Sequence, residues 1–442
     1  MPVAQSAVEL SSDLLQRLSN ARLRTDQLFD IVKPEYLYER PIPERHRIIF
    51  YIGHLESFDW NLLRERLLSI PSFHPEFDHL FAFGIDPVGG GLPTDQPSAW
   101  PTLAEVRNYV KRIREALDKG LRSLASGSET GKAPEFPPSQ LLNVAIEHRL
   151  MHAETLAYML HQLPLNQKIR QPRTPEPPAE NFKPEIMQIP GGTVTLGLDR
   201  AEFGWDNEFE LHAETVPSFA IDKYKVTNRQ WIAFMEARGY ENKSLWTEDA
   251  WTWKTAHNIS HPSFWRRDGD RWYYRTMFED VRMPLDWPVY VSQAEASAYA
   301  RWVGKALPTE SQWHRAAFGT HEASERQYPW GNGAPSPEMG NFDFHSWDPV
   351  SVAGYPEGQS AFGTAGMLGN GWEWTSSLFQ PFPAFERFPF YPGYSADFFD
   401  GKHFVMKGGS ARTAACMLRR SFRNWFQPHY QYVYAGFRCV SE

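Results

Sequence analysis

The chain reads as an α+β protein of two domains, a four-helix bundle followed by an irregular α+β domain. Three observations carry this. Residues 1–165 hold long amphipathic stripes at helical spacing, and residues 171–184 (QPRTPEPPAENFKP) are crowded with proline. Beyond them, short apolar pieces alternate with Gly, Pro, Asn and Asp clusters to the end. A length of 442 residues also exceeds what one ordinary core serves. The boundaries are 1–170 for the bundle, 171–185 for a stiff polyproline-like linker, and 186–442 for the second domain.

The elements follow in order. Leu14, Leu15, Leu18, Ala21, Leu28, Ile31 and Val32 give a first helix that Pro34 stops. A second spans 44–68, ending before Pro71. A third begins at Thr102, with Glu105 completing a capping box, and carries Leu103, Val106, Val110, Ile113 and Leu117 on one face. The fourth spans 138–163 with the stripe Leu141, Ala145, His148, His152, Leu156 and Met159. In the second domain, IPGGTVTLG (189–197) reads as strand–turn–strand, and helical patterns cover 228–238 and 292–303. No simple internal repeat is visible. The 17 Trp, 18 Tyr and 30 Phe fall mostly in this half, where large flat rings can pin irregular segments.

Composition excludes several classes. The net charge is −8 and no Lys/Arg run occurs, which argues against nucleic acid as a partner. Two cysteines, Cys416 and Cys439, make no disulfide framework, so a reducing compartment is expected and both read as buried small hydrophobes. No stretch of 18 apolar residues and no basic leader followed by an apolar run occur, so the expectation is a cytoplasmic protein with no membrane partner.

Three histidines carry the chemistry. His148 and His152, four apart, leave one helical face a turn apart, and His54 lies beside Tyr51, Leu55 and Phe58 on the stripe of another helix. A lone histidine on such a stripe is ordinarily a satisfied core residue. Three together would each need an acceptor or a metal, because burying an imidazole without a partner costs free energy. Metal ligands in bundles come from facing helices, and a three-nitrogen set leaves positions open, as catalytic sites do. The spacing suits Zn(II), Fe(II) or Cu(II) and does not choose among them. Glu154 is a candidate to orient a ligand from outside the coordination sphere. Glu147 reads as a solvated helix charge and His161, near the helix end, as exposed.

The second half resembles the formylglycine-generating-enzyme/sulfatase-modifying-factor domain, a C-type-lectin-like fold. The likeness rests on IPGGTVTLG (189–197), KVTNRQW (225–231), residues 286–317, YPWGN (328–332), GNGWEWT (369–375), KGGS (407–410) and AGFRCV (435–440). A bundle carrying His…His-x-x-x-His-x-Glu ahead of that domain resembles the ergothioneine-type sulfoxide synthases, whose bundle is DinB-like. The resemblance implies a mononuclear non-heme Fe(II) enzyme, an oxidoreductase that uses O2 to join a thiol sulfur to an imidazole carbon. It implies His54, His148 and His152 as the iron ligands and favours iron over zinc.

It further implies that Asn424 and Trp425 of SFRNWF hold a trimethylammonium histidine, hercynine-like, for which an indole face is suited. Phe426 stands where the family pattern continues with Asp, and Met151 where it tends to carry Gln before the last ligand. Both fall at substrate-binding positions. Residues 80–97 lack the Arg or Tyr expected to grasp a thiol's carboxylates. These departures leave open a different sulfur donor, a selenium donor, a zinc-dependent thiol transferase, or a non-catalytic binding module. Tyr391 and Tyr394 are the nearest candidates for a proton-donating phenol. Formylglycine generation is disfavoured, since Thr413 and Leu418 stand near the spacings of its cysteine pair. The resemblance also implies a structural Ca(II) near 341–343 and 370–373, where oxygen ligands are present.

Overall fold

A computed structural model describes residues 11–85, 92–126, 135–177 and 183–441. The chain divides into two compact units, Met1–Gln171 and Pro172–Glu442. Part of the 80–97 segment (86–91) and of the linker (178–182) lies outside the described residues.

The first unit contains α1 (Ser12–Phe29), α2 (Ile48–Leu63), α3 (Pro75–Phe83), α4 (Leu103–Ala125) and α5 (Pro138–His161). Four are the long helices the stripes foretold. The ends are set by local chemistry: Ser11 accepts from the Leu14 amide, and Thr102 and Glu105 close a capping box on α4. Pro138 takes the first turn of α5, where its missing N–H costs nothing. The second helix begins at Ile48 rather than near Glu44, because residues 40–47 form turns, and it runs on through a wide turn at Arg64–Leu68. Periodicity gave no sign of α3. It has only nine residues, and His74 caps it by accepting from the Phe77 amide. Packing joins α1 to α5, and α2 to α3, α4 and α5.

The second unit is irregular. β1 (Ile186–Ile189), β4 (Phe219–Asp222) and β12 (Val440–Ser441) form an antiparallel sheet in the order β1-β4-β12. β2 (Gly192–Leu196) pairs with β3 (His212–Val216). The 189–197 strand–turn–strand is therefore present, but its two strands serve different sheets. β5 (Trp265–Asp268), β6 (Arg271–Arg275) and β7 (Asp280–Arg282) form a meander. β8 (Trp372–Leu378), β9 (Phe404–Lys407), β10 (Asn424–Phe426) and β11 (Ala435–Gly436) make a sheet in the order β10-β9-β8-β11, with β11 parallel to β8.

Four helices accompany them: α6 (Asn228–Glu236), α7 (Glu248–Ala256), α8 (Gln293–Trp302) and α9 (Glu310–Phe318). Each opens on a Thr or Ser that accepts a backbone N–H, with full capping boxes on α6, α8 and α9. Trp313 of α9 sits fully buried among Val194, Leu196, Ile221, Met367 and Leu418. A buried ion cluster ties β8 to the chain's end: Arg438 clasps both carboxylate oxygens of Glu373 at 2.7 and 2.9 Å, with Lys225 at 3.2 Å. The first linker residues lie against this unit, Arg173 stacking over Trp287 and Glu176 accepting from its indole N–H at 3.0 Å.

Candidate metal centre

α2 positions His54 through α3. The His54 Nδ1–H donates to the Phe81 carbonyl at 2.7 Å. A carbonyl can only accept, so the proton sits on Nδ1 and the Nε2 lone pair is left to ligate. Phe81 reaches α2 because residue 53 is glycine: a Cβ there would lie 2.3 Å from the Phe81 ring. His148 and His152 leave α5 one turn apart. His54 Nε2 and His152 Nε2 face each other at 3.3 Å, and one nitrogen from each of the three rings falls within 4.8 Å of the others.

The surroundings are aromatic. Phe58 stacks on His148 with centroids 3.5 Å apart and planes at 12°, and Phe50 covers His54 at 4.8 Å and 24°. Burial pushes His54 down to about 4, and burial with the neighbouring imidazoles holds His148 and His152 well below the usual range. All three are neutral at pH 7, the form that coordinates. The Nδ1 of His152 is buried with no hydrogen-bond partner among the described residues. Two imidazole nitrogens turned on one another beside a third, among aromatic rings, fit a divalent first-row cation held by nitrogen alone. Among the described residues this is the one such cluster of His, Cys, Asp and Glu.

Other expectations for this unit change. Glu147 is buried, 2% exposed, and so is His161, where solvent exposure was expected for both. The reason is that α5 is buried around almost its whole circumference, so a position off the apolar stripe does not reach water. Glu154 is buried as well. Met151, between His148 and His152 in the sequence of α5, is half-buried. Sequence reasoning also missed the Phe81 carbonyl, which no side-chain pattern reports.

In the second unit, Asn424, Trp425 and Phe426 form β10, paired to β9 with Trp425 opposite Val405. Trp425 stacks on Phe379 at 4.2 Å and 6°, and Tyr394 meets it edge-on at 5.4 Å. Tyr394 in turn stacks on Trp205 at 4.1 Å, with Tyr391 5.7 Å away. The fold thus gathers Trp425 and the two tyrosines, distant in sequence, into one aromatic cluster. Burial and the nearby Asp206 carboxylate push the Tyr391 phenol up to about 12. Phe426 stacks on Tyr430 at 4.9 Å. Arg423, just before the strand, lies over Phe382 and Phe379 and binds Glu310 at 3.0 Å.

The oxygens at the suggested calcium segments are engaged by protein donors. Asn341 Oδ1 accepts from Ser346, Asn370 Oδ1 from Asn341 and the Val350 amide, Asp343 from the Ala415 amide, and Glu373 from Arg438. Cys439 is buried and Cys416 only half-buried on a short turn, where burial was expected for both. No helix of the described residues is long and apolar enough to cross a membrane.

Fold and site together define a class: a three-histidine helical bundle joined in one chain to a lectin-like, irregular domain. Residues 17–156 match the DinB superfamily and residues 171–442 the sulfatase-modifying factor enzyme 1-like domain. The hercynine oxygenase of Mycolicibacterium thermoresistibile is 32% identical over 98% of this chain and 96% of its own. That of Mycobacterium tuberculosis is 34% identical over 84% and 83%. Ergothioneine biosynthesis protein 1 of Neurospora crassa is 27% identical, covering 92% of this chain and 55% of its own. The chain belongs to the hercynine oxygenase family.

Proposed function

We propose that this chain is a non-heme Fe(II) sulfoxide synthase, joining a thiol sulfur to the imidazole carbon of an Nα-trimethylhistidine with O2 as oxidant. The balance is R–SH plus imidazole C–H plus O2 giving R–S(O)–imidazole plus water. One C–S and one S–O bond form, the S–H and C–H bonds break, and O2 takes four electrons. The observation that carries the reading is the convergence of His54, His148 and His152 within 4.8 Å, in a chain so similar to named hercynine oxygenases.

His54, His148 and His152 would hold the iron. When bound, Fe(II) supplies open positions where thiol, imidazole and O2 are brought together, and it acidifies the thiol. The protein does the rest. Phe81 fixes the His54 tautomer, while Phe50 and Phe58 stack on the His54 and His148 rings. Asn424, Trp425, Phe426 and Met151 are assigned to substrate binding, the Trp425 indole supplying cation–π attraction to the trimethylammonium group. Tyr391 or Tyr394 is assigned the proton-donating role; the raised pKa of Tyr391 keeps its proton on the oxygen at neutral pH.

The test is anaerobic loading with Fe(II), then O2 with hercynine and cysteine, γ-glutamylcysteine or a selenosugar, following O2 uptake and product mass. A product heavier than hercynine by the donor plus one oxygen less two hydrogens is expected. Tightly held zinc with no O2 uptake on any pair would instead assign a thiol transferase.

A further inference from the structure

Beside the three histidines, the apolar interior of the bundle holds a chain of charges that a packed core does not need. Arg149, the residue after His148, is fully buried. Its Nη1 donates to Glu56 Oε1 at 3.0 Å and to Thr25 Oγ1 at 3.3 Å. Its Nη2 donates to Asp59 Oδ2 at 2.6 Å and to the Leu55 carbonyl at 2.9 Å. Leu55 is the residue after His54. Glu56 also accepts from Arg114 Nε at 2.9 Å, and Arg114 reaches on to Asp26 at 2.8 Å. One guanidinium fork on α5 therefore grips two carboxylates and a main-chain oxygen of α2, within about a turn and a half of His54.

Such a network is weak support for stability, because well-packed apolar replacements of buried ion pairs are often neutral or better. What a planar fork adds is direction. Apolar side chains let two helices slide with little penalty, whereas a guanidinium bonded to a backbone carbonyl and two carboxylates has one register. A slide of a single residue moves a helix about 1.5 Å along its axis, and metal ligands tolerate roughly 0.5 Å. The 3.3 Å approach of His54 to His152 would not survive it.

We propose that Arg149 is a positioning residue for the metal centre: through Leu55, Glu56 and Asp59 it sets the register of α5 against α2, and so the convergence of His148 and His152 on His54. The inference rests on the reading of the triad as a metal site. Charge and position make opposite demands here, which makes the role testable. Arg149 is a cation beside a site for a dication, so a purely electrostatic role means that removing it tightens metal binding. Positioning means that removal weakens it.

The experiment compares the wild type with Arg149→Met, Arg149→Lys, Glu56→Gln and His152→Ala, all full-length. Binding of Co(II) is followed by its visible spectrum and of Fe(II) by anaerobic dialysis, with helical circular dichroism confirming the fold. Arg149→Met is expected to bind either metal about 10- to 100-fold more weakly, with a shifted Co(II) band, as loss of groups that orient ligands does. Arg149→Lys keeps the charge without the fork and is expected to lose about tenfold. A folded Arg149→Met with wild-type affinity and spectrum, or with tighter binding, overturns the proposal. Should that variant fail to fold, Glu56→Gln decides by the same measurements, wild-type binding again overturning it. A wild type that binds no metal, or a His152→Ala that binds like it, overturns the triad reading itself and the positioning role with it.

Discussion

His54 Nε2 lies 3.3 Å from His152 Nε2, on helices whose ligand positions are separated by 98 residues of chain. Neither ring carries a charge at neutral pH, and each is enclosed by aromatic faces or by the other imidazoles. The arrangement is held from outside the ligand set. Its weakest supports are therefore residues that touch no metal.

Gly53 is one of these. Gly53→Ala gains some helix propensity, but its methyl would meet the Phe81 ring at 2.3 Å and force α3 away from α2. The hydrogen bond from His54 to the Phe81 carbonyl is lost with it. The expected result is a stability loss of about 1–3 kcal/mol and roughly tenfold weaker Fe(II) binding, read by urea unfolding and by dialysis. Wild-type values for both would show that α3 does not orient His54.

Acid should destabilise the metal-free protein before its carboxylates titrate. His54 binds its proton at about 4 in the folded chain, against an ordinary value near 6.5 in the unfolded one. The unfolded state then takes up protons first, so stability is full above pH 6.5 and falls as the pH drops towards 4. His148 and His152 shift the same way and add to the effect. His54 alone contributes a loss of about 2 kcal/mol between pH 7 and pH 5. Urea midpoints of metal-free protein at the two pH values check it, and a midpoint independent of pH would contradict it. Metal-loaded protein should resist, since a ligand bound only by the folded state stabilises it.

Trp425→Ala should act on substrate rather than on metal. Loss of one cation–π contact costs about 0.5–2 kcal/mol, so KM for the trimethylammonium substrate is expected to rise about 2- to 30-fold. Metal content should stay as in the wild type, and Trp425→Phe should recover part of the loss. An unchanged KM in steady-state kinetics would remove Trp425 from the substrate site.

Glu373 serves the fold of the second unit. Glu373→Gln leaves Arg438 and Lys225 buried together without a counter-charge. The expected loss is about 3–5 kcal/mol, seen as a markedly lower thermal transition. Lys225 is already held down to about 8 by burial, and losing Glu373 should lower it further. A transition unchanged within a degree or two would mean that the ion cluster is dispensable.

By itself the sequence determined the two-unit organisation, the four long helices and the three histidines of the candidate centre. Each is written in local periodicity: an apolar stripe at 3.6 residues fixes which face turns inward, and His148 and His152 share that face whatever packs against it. Among the nine-residue helices α6 showed a helical pattern, whereas α3, α7 and α9 escaped. Only the tertiary structure decided that His54 meets His152, that a main-chain oxygen of α3 sets its tautomer, and that Arg149 bridges to Leu55, Glu56 and Asp59. It also buried Glu147 and His161 against expectation. The physical reason is one of range. Periodicity reports the direction of a side chain from its own helix axis, whereas contacts across helices depend on the register between axes, which packing and a few directional polar bonds settle.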